Sequence, residues 1–280
     1  PSGGRAVLAA DSATVIVAGD IHASCNNDFN KSPATAALVA RYPGALVFVL
    51  GDNAGIHGTA AEYQCYDKIW GRFKARTYAV MGNHELNIDT TATAHYDYFN
   101  GVGVDSGAAG HRSRAYYTVT YGGWRLLVVN SQQYHEEQTA WITRELTARP
   151  ARCVMALWHT PLFTSSREVI PAPARLVRPF WQALYAAGAD VIIGGHSHQY
   201  ERFAKTDWRG TVDLTHGIRH FVVGTGGGIL MRFGSTIHPA SRKRIMAYGV
   251  LKLTLWPDRY AWQFIDIGGR VLDQGRSACR

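Results

Sequence analysis

The feature that most constrains the fold of this chain is a short apolar stretch that stops abruptly at an acidic side chain. Residues 45–50 are all apolar, which predicts a strand buried on both faces, and Gly51, Asp52 and Asn53 follow immediately. Open α/β sheets bind their ligands just beyond the carboxyl ends of such strands. For this stretch alone, an ordinary Asp-Asn turn is the better explanation of Asp52.

Four other apolar stretches also end in side chains that can bind metal ions. A single histidine at the end of a strand is usually a hydrogen-bonded structural residue, so no one of these ends is convincing alone. Five such ends in one chain are hard to explain by turn residues. The polar side chains at the five ends are Asp20 and His22, Asp52, Asn83 and His84, His159, and His196 and His198.

The mixture of donor atoms indicates which metals the chain could bind. Neutral imidazoles combined with carboxylates and one amide oxygen suit Zn, Fe, Mn or Co better than Ca or Mg. Even seven of these eight side chains would exceed one tetrahedral site, and they suit two ions about 3.5–4 Å apart, with Asp52 as the natural bridging carboxylate. Such a pair lowers the pKa of a shared water toward about 7 and stabilises in-line displacement at phosphorus.

Length and charge add weaker limits. A chain of 280 residues with 46% hydrophobic residues can form one large domain or two small ones. No apolar run approaches the roughly 20 residues of a membrane span. The net charge of +8 favours anionic partners such as phosphate esters or nucleic acid, but the one cationic cluster, residues 242–244, is too short to indicate a dedicated nucleic-acid surface.

Strand and helix patterns alternate in the first half of the chain, and the last third is mostly strand. This order predicts a single domain over residues 1–280 that contains two sheets. Residues 1–12 are expected to form a loose lead-in, and residues 249–280 to supply C-terminal strands that complete the second sheet. The long loops at 86–114 and 161–173 are expected to set substrate specificity.

Four cysteines are present, and no two of them form a Cys-x-x-Cys pair, which argues against a thiolate zinc site. An even number favours disulfides and an oxidising compartment, although three pairings are possible. The chain begins with Pro1, so we expect a trimmed or mature form whose signal peptide has been removed.

The ordered motifs resemble those of the calcineurin-like metallophosphoesterases. The resemblance spans residues 14–228 and implies a four-layer αββα sandwich of two mixed sheets flanked by helices. The matching segments are Asp20-x-His22, Gly51-Asp52-Asn53, Gly82-Asn83-His84-Glu85, His159 and Gly195-His196-x-His198.

That resemblance also implies a division of roles. One metal ion would be held by Asp20, His22, Asp52 and His198, and the other by Asp52, Asn83, His159 and His196. His84 would not be a ligand; it would stabilise the developing charge or protonate the leaving alcohol while metal-activated hydroxide attacks phosphorus in line.

The second half of the chain is similar to the purple acid phosphatase-like bacterial enzymes, most of which are exported. The segments that carry this similarity include Trp158-His159-Thr160-Pro161 and Gly195–Arg202. The resemblance implies a Cys153–Cys279 disulfide and, with it, Cys25–Cys65. We therefore expect a secreted or periplasmic protein.

Two departures distinguish this chain from the purple enzymes. Those enzymes carry a tyrosine three residues after the bridging aspartate, where this chain has Gly55, and they lack a histidine at the position of His22. An Fe(III)–tyrosinate centre is therefore not expected. His22 is expected to occupy the ligand position that the tyrosine leaves, and the metal identity stays open.

The resulting expectation is a dinuclear metal-dependent phosphatase that hydrolyses small-molecule phosphate monoesters. A phosphodiesterase or nuclease with the same metal centre is the alternative, and a non-catalytic phosphate-binding module is a third hypothesis. His57 and His95 lie in loops close in sequence to the motifs and are the tentative substrate contacts. The sequence does not indicate an oligomeric state.

Overall fold

The structure, a computed structural model, describes residues 12–26, 29–133, 136–167 and 176–280. Most of the lead-in and part of the 161–173 loop therefore lie outside the described residues. None of the described helices is long and apolar enough to cross a membrane. The described helices are α1 (Ser32–Val39), α2 (Ala60–Trp70), α3 (Thr93–Phe99), α4 (Glu136–Ala148) and α5 (Arg178–Ala186), with 3-10 turns at Gly71–Arg76 and His84–Leu86.

Fifteen strands are described, and most of them belong to two large sheets. In chain order they are β1 (Ala13–Ala18), β2 (Leu46–Val49), β3 (Thr77–Ala79), β4 (Ser106–Gly107), β5 (Gly110–His111), β6 (Tyr117–Tyr121), β7 (Trp124–Val128), β8 (Val154–Leu157), β9 (Val191–Gly194), β10 (Tyr200–Thr206), β11 (Ile218–Val223), β12 (Ser241–Ile245), β13 (Gly249–Trp256), β14 (Arg259–Asp266) and β15 (Val271–Ala278).

The first sheet has the order β15-β14-β13-β1-β2-β3, and the second has the order β12-β10-β11-β9-β8-β7-β6. Strands β1, β2 and β3 run parallel to one another, and so do β7, β8, β9 and β11. In each sheet the carboxyl ends of these parallel strands therefore meet at one edge. That edge is where the polar motifs of the sequence lie.

Alternate residues of the central strands enter two different cores, which creates the layers. Ile16 and Ala18 of β1 pack with residues of α1, α2 and α3 on the outer face of the first sheet. Val15 and Val17 point the other way, into the apolar layer between the two sheets. The outer face of the second sheet packs against α4 and α5. The result is the expected four-layer αββα sandwich.

The expectation that residues 249–280 complete the second sheet was wrong. Strand β13 pairs antiparallel with β1, from Ala13 opposite Leu255 to Val17 opposite Leu251, so the C-terminal strands extend the first sheet. The free edge of β1 accepts them because its other edge is paired with β2. The local sequence pattern predicts where strands occur, but it does not show which strands pair or which of the two sheets they join.

Two regions contain more regular structure than the sequence indicated. The stretch 86–114, expected to be irregular, contains α3 and the β4–β5 ribbon. The sequence does not predict strand β10 because the adjacent charged residues Glu201 and Arg202 interrupt the alternation that is typical of a half-buried strand. The structure resolves that conflict, since the guanidinium of Arg202 forms hydrogen bonds of 2.7 and 3.0 Å with the carboxylate of Asp273 in β15.

Both disulfides implied by the resemblance are present. Cys25–Cys65 closes 40 residues and ties the loop after β1 to α2, whereas Cys153–Cys279 closes 126 residues and ties the start of β8 to the C-terminal end of β15. The first bridge anchors the loop that carries Asp20 and His22.

Candidate metal centre

The loops that follow β1, β2, β3, β8 and β9 bring all seven candidate ligands together. Backbone hydrogen bonds join the first two loops, because Asp20 N donates to Gly51 O and His22 N donates to Asp52 O, at 3.1 and 2.9 Å. Gly51 permits the third loop to approach closely: a Cβ atom there would lie 2.5 Å from the backbone N of Gly82.

Four candidate ligands have an unusual backbone conformation. Asp20, His22, Asp52 and His196 have φ between 47° and 66°, in the left-handed region that non-glycine residues rarely adopt. The described residues include only two others of this kind, both alanines. Such conformations occur where the surrounding structure imposes them, typically at functional sites. They turn these side chains away from the strand direction and toward a common centre.

Four donor atoms converge in what we call the Asn83 group, formed by Asp52, Asn83, His159 and His196. The Oδ1 atom of Asn83 lies 3.0 Å from both His159 Nε2 and His196 Nδ1. His159 Nε2 also lies 3.2 Å from His196 Nδ1 and 3.3 Å from Asp52 Oδ2. Ligands in a tetrahedral zinc site are about 3.3–3.6 Å apart when the metal bonds are about 2.0–2.2 Å. The observed separations are close to that spacing.

A second cluster, the Asp20 group, consists of Asp20, His22 and His198. Ligand atoms of these residues all lie within 4.8 Å of one another. The closest pair is His198 Nε2 and Asp20 Oδ1, at 3.3 Å. Asp20 Oδ1 and His22 Nε2 are buried and have no hydrogen-bond partner. Buried polar atoms without a partner are costly, and a bound cation would satisfy both.

Three of the candidate histidine ligands are oriented by the protein backbone. Each Nδ1 atom contacts a carbonyl oxygen, at 2.7 Å for His22 with Gly55, 2.7 Å for His159 with Leu50 and 2.8 Å for His198 with Ile229. A carbonyl can only accept, so Nδ1 must carry a proton. Nε2 is then the atom left to bind a metal, which is how metal-binding histidines are usually oriented.

Asp52 lies between the two groups. Its Oδ2 atom is 3.3 Å from His159 Nε2 on one side and 3.9 Å from His22 Nε2 on the other. Its Oδ1 atom is occupied, because it accepts a hydrogen bond from the backbone N of His84 at 2.9 Å. A single carboxylate oxygen therefore faces both groups.

The buried carboxylate of Glu85 holds the metal-loop backbones in register. Its Oε2 atom accepts from the backbone N of Gly82 at 2.7 Å and of Asp52 at 2.9 Å, and its Oε1 atom accepts from the backbone N of Asn53 at 2.8 Å. The sequence motif contained Glu85, but nothing in the sequence indicated this positioning role.

Without a bound metal ion, protonated histidines balance the negative charges of the buried Asp20 and Asp52. At His159, burial would lower the pKa, but the charge of Asp52 outweighs it and raises the pKa to about 10. At His198, burial would lower the pKa, but the neighbouring Asp20 carboxylate outweighs it and raises the pKa to about 9. At His196, burial and then the charge of His159 lower the pKa to about 4. A metal ion must therefore displace protons from His159 and His198 to bind.

The structure around Gly55 leaves no room for a tyrosine side chain at this position. Its φ is 55°, and a Cβ atom would lie 2.0 Å from Oε1 of Glu62. Glu62 cannot easily yield, because its carboxylate accepts from the backbone N of Ile56 and of Thr59 and completes the capping box of α2. The carbonyl of Gly55 instead orients His22 toward the centre.

His84 is half-buried and lies beside the candidate ligands. Its Nδ1 atom contacts the carbonyl of Ile56 at 2.6 Å, and its Nε2 atom lies 3.7 Å from Asp52 Oδ2. The ring also contacts that of His22 edge-on, with centroids 4.8 Å apart. Nε2 can therefore face a molecule bound at the centre.

The tentative substrate contacts need correction. His95 is buried in an aromatic cluster, where its Nδ1 atom bonds the hydroxyl of Tyr63 at 2.8 Å, so it has no surface for a substrate. His57 is exposed but does not line the cleft beside the centre. The described residues of loops 86–114 and 161–167 do not line it either. The lining residues are His22, Ser24, Phe29, Asn30, Gly55, Ile56, Glu62, His84, His198, Gly227, Gly228, Ile229 and Met231.

Comparison with known proteins agrees with this geometry. Residues 13–200, about two thirds of the chain, match the family model described as calcineurin-like phosphoesterase. The chain belongs to this family. The family expected from the sequence motifs is thus confirmed.

The chain is also similar to individual plant purple acid phosphatases. Purple acid phosphatase 15 of Arabidopsis thaliana is 27% identical over 160 residues, which cover 52% of this chain and 29% of that protein. Purple acid phosphatase 23 of the same plant is 26% identical over 180 residues, which cover 60% of this chain and 39% of that protein. The chain thus spans well under half the length of these relatives.

Two solved structures share the fold. The purple acid phosphatase PPD1 of yellow lupin (Lupinus luteus) has a TM-score of 0.80 at 20% identity. The matched region covers 96% of this chain and 54% of the PPD1 chain. The second is GAP50, described as the anchor in the inner membrane complex of Plasmodium, with a TM-score of 0.73 at 13% identity. The matched region covers 96% of this chain and 89% of the GAP50 chain. At these identities the likeness supports the fold alone.

Proposed function

We propose that this chain is a metal-dependent phosphatase that hydrolyses phosphate monoesters with two metal ions. The observation that carries the proposal is the position of Asp52 Oδ2, 3.9 Å from His22 Nε2 and 3.3 Å from His159 Nε2. One ion would be held by the Asp20 group together with Asp52, and the other by the Asn83 group. Bound there, the ions would polarise the phosphate oxygens and lower the pKa of water.

The residues of the chain supply orientation and a proton. Asp52 can neutralise positive charge on both sides through one oxygen, while its other oxygen stays bound to the backbone of His84. In its doubly protonated form, His84 can donate the Nε2 proton to the oxygen of the leaving alcohol, because Nε2 lies beside the centre, 3.7 Å from Asp52 Oδ2. The carbonyl of Ile56 keeps the ring in this orientation.

The monoester is favoured over the diester because the matching relatives are named purple acid phosphatases. The deciding experiment compares p-nitrophenyl phosphate with bis(p-nitrophenyl) phosphate on protein loaded with Zn, Mn, Fe or Co. We expect kcat/KM for the monoester to be at least tenfold higher. A diester rate that is higher by orders of magnitude would establish the phosphodiesterase alternative instead.

Fold alone does not decide function, since GAP50 shares it and is described as an anchor. The test is elemental analysis of Asp52→Asn beside the exposed control Asp105→Asn. We expect two transition metal ions per chain in the wild type and the control, and loss of both activity and at least one ion in Asp52→Asn. Retained activity in Asp52→Asn contradicts the bridging role, and less than one ion in the loaded wild type supports a non-catalytic module.

We also propose that the protein acts in an oxidising compartment, as an exported protein does. Two disulfides support this, because such bonds persist mainly outside the cytosol. Thiol titration of natively purified, denatured protein should detect none of the four cysteines as free thiols. Four free thiols would contradict the proposal.

A further inference from the structure

A cleft of about 480 Å³ opens directly onto the candidate metal centre. Its lining includes the imidazoles of His22, His84 and His198. It also includes four apolar side chains, Phe29, Ile56, Ile229 and Met231, which we call the apolar wall. A molecule whose phosphate reaches these imidazoles would share the cleft with the apolar side chains.

The apolar wall is exposed to water, although such side chains are normally buried. Phe29 is 82% exposed, Ile229 is 75% exposed and Ile56 is 55% exposed. Eleven large apolar residues in the described part of the chain are exposed, and these three share a single cleft. Clustered exposed apolar surface usually marks a binding site, whereas scattered exposed residues do not.

The residues that line the cleft do not favour a leaving group that carries further negative charges. The sequence contains 29 lysines and arginines, yet none lines the cleft in the described part of the chain. The carboxylate that lines it, Glu62, is occupied by hydrogen bonds from the backbone of Ile56 and Thr59. A leaving group with further phosphates or carboxylates would find no lysine or arginine there.

We propose that the apolar wall binds the leaving group, so that the substrates are phosphate monoesters of apolar aryl or alkyl alcohols. The proposal rests on the function proposed above. The cleft is about three times larger than the ~150 Å³ cavity that holds one benzene molecule, so it has room for a two-ring group or an alkyl chain. During hydrolysis the P–O bond to the alcohol breaks, water supplies the new oxygen on phosphorus, and the apolar alcohol leaves with the proton from His84.

A series of n-alkyl phosphates from propyl to octyl tests this directly. The alcohols in this series have nearly equal acidity, so the chemical step is constant and only burial against the apolar wall changes. We expect kcat/KM to rise about threefold per added methylene until the cleft is filled. Glycerol phosphate, the polar counterpart of propyl phosphate, should be hydrolysed at least threefold less efficiently. Equal kcat/KM across the series would overturn the proposal.

Binding measurements separate this proposal from the proposed function. The Kd values of n-alkylphosphonates, which are not hydrolysed, can be measured by calorimetry on metal-loaded protein whether or not it turns over esters. A Kd that falls with chain length supports the apolar wall even if no ester is hydrolysed, in which case the proposed function alone fails. A Kd independent of length overturns the apolar wall even if monoesters are hydrolysed.

Variants connect the effect to the named residues. In Phe29→Ser/Ile229→Ser, we expect the dependence of kcat/KM and of Kd on chain length to fall to less than half of its wild-type slope. Both side chains are exposed, so folding should tolerate the change. The matched control is Leu214→Ser, which alters a 71% exposed leucine outside the cleft and should keep the wild-type slope. A wild-type slope in the double variant would refute the assignment.

Discussion

Replacing Glu85 by glutamine tests whether one buried carboxylate holds the metal loops in place. Both carboxylate oxygens are used: Oε2 accepts from the backbone N of Gly82 and Asp52, and Oε1 from the backbone N of Asn53. Glutamine has a single acceptor oxygen. Its amide nitrogen must therefore face at least one backbone N–H donor to which it cannot bond.

The size of the effect follows from these contacts. If the amide nitrogen takes the place of Oε1, it loses the hydrogen bond from the backbone N of Asn53 at 2.8 Å and the longer ones from Asn53 Nδ2 and the Tyr63 hydroxyl, both at 3.3 Å. The shortest of these, to a charged acceptor, is worth about 1.5–3 kcal/mol. Part of this cost is offset, because burial and the nearby charge of Asp52 already raise the pKa of Glu85 and disfavour its ionised form. We expect a net loss of about 2 kcal/mol in the free energy of unfolding. Displacement of Asp52 and Asn53 should also lower kcat about 10- to 100-fold.

Urea unfolding of the metal-free protein, followed by circular dichroism, measures the first effect without a contribution from metal binding. The control is Glu137→Gln, which changes an exposed glutamate of the same size on α4. That change should cost less than about 1 kcal/mol. The reasoning is refuted if Glu85→Gln unfolds within about 0.5 kcal/mol of the wild type and keeps its kcat.

Two further predictions follow from the site and from the disulfides. Because the pKa values of His159 and His198 are about 10 and about 9 in the metal-free chain, each ion must displace about one proton near neutral pH. Metal affinity should then rise about tenfold per pH unit. Chelator competition should therefore show about a 100-fold gain in affinity for each ion between pH 6 and 8. An affinity that does not change with pH would contradict this prediction. The Cys153→Ala/Cys279→Ala variant opens a closure of 126 residues, which should lower the free energy of unfolding by about 5 kcal/mol in urea titrations. A loss below about 1 kcal/mol would show that chain entropy is not the main contribution.

The candidate ligands could be recognised from the sequence because each lies next to the strand that positions it. Asp52 follows β2 and His159 follows β8, so local pattern was enough to select both. Their roles as ligands remain predictions, but the structure places their side chains 3.3 Å apart. The side chains of four of these residues point toward the centre because their backbone is in the left-handed region. A sequence of Asp and His does not predict that conformation.

The errors came from contacts between residues far apart in the chain. His95 was selected for its position near the motifs, yet the aromatic side chains of α2 and α3 enclose it. The loops expected to set specificity were chosen for their length. The apolar wall is instead formed by Phe29, Ile56, Ile229 and Met231, which lie in loops without any periodic signal.

The sequence by itself determined the buried parallel strands, the polar side chains at their carboxyl ends and the absence of a tyrosine at Gly55. These are local properties, because strand burial and turn chemistry depend on neighbouring residues. Only the tertiary structure decided which sheet receives the C-terminal strands, which histidines face the centre and which residues line the cleft beside it. Those outcomes depend on packing between distant segments. Asp52 shows both: its place after β2 is local, but the tertiary structure puts its free oxygen between His22 and His159.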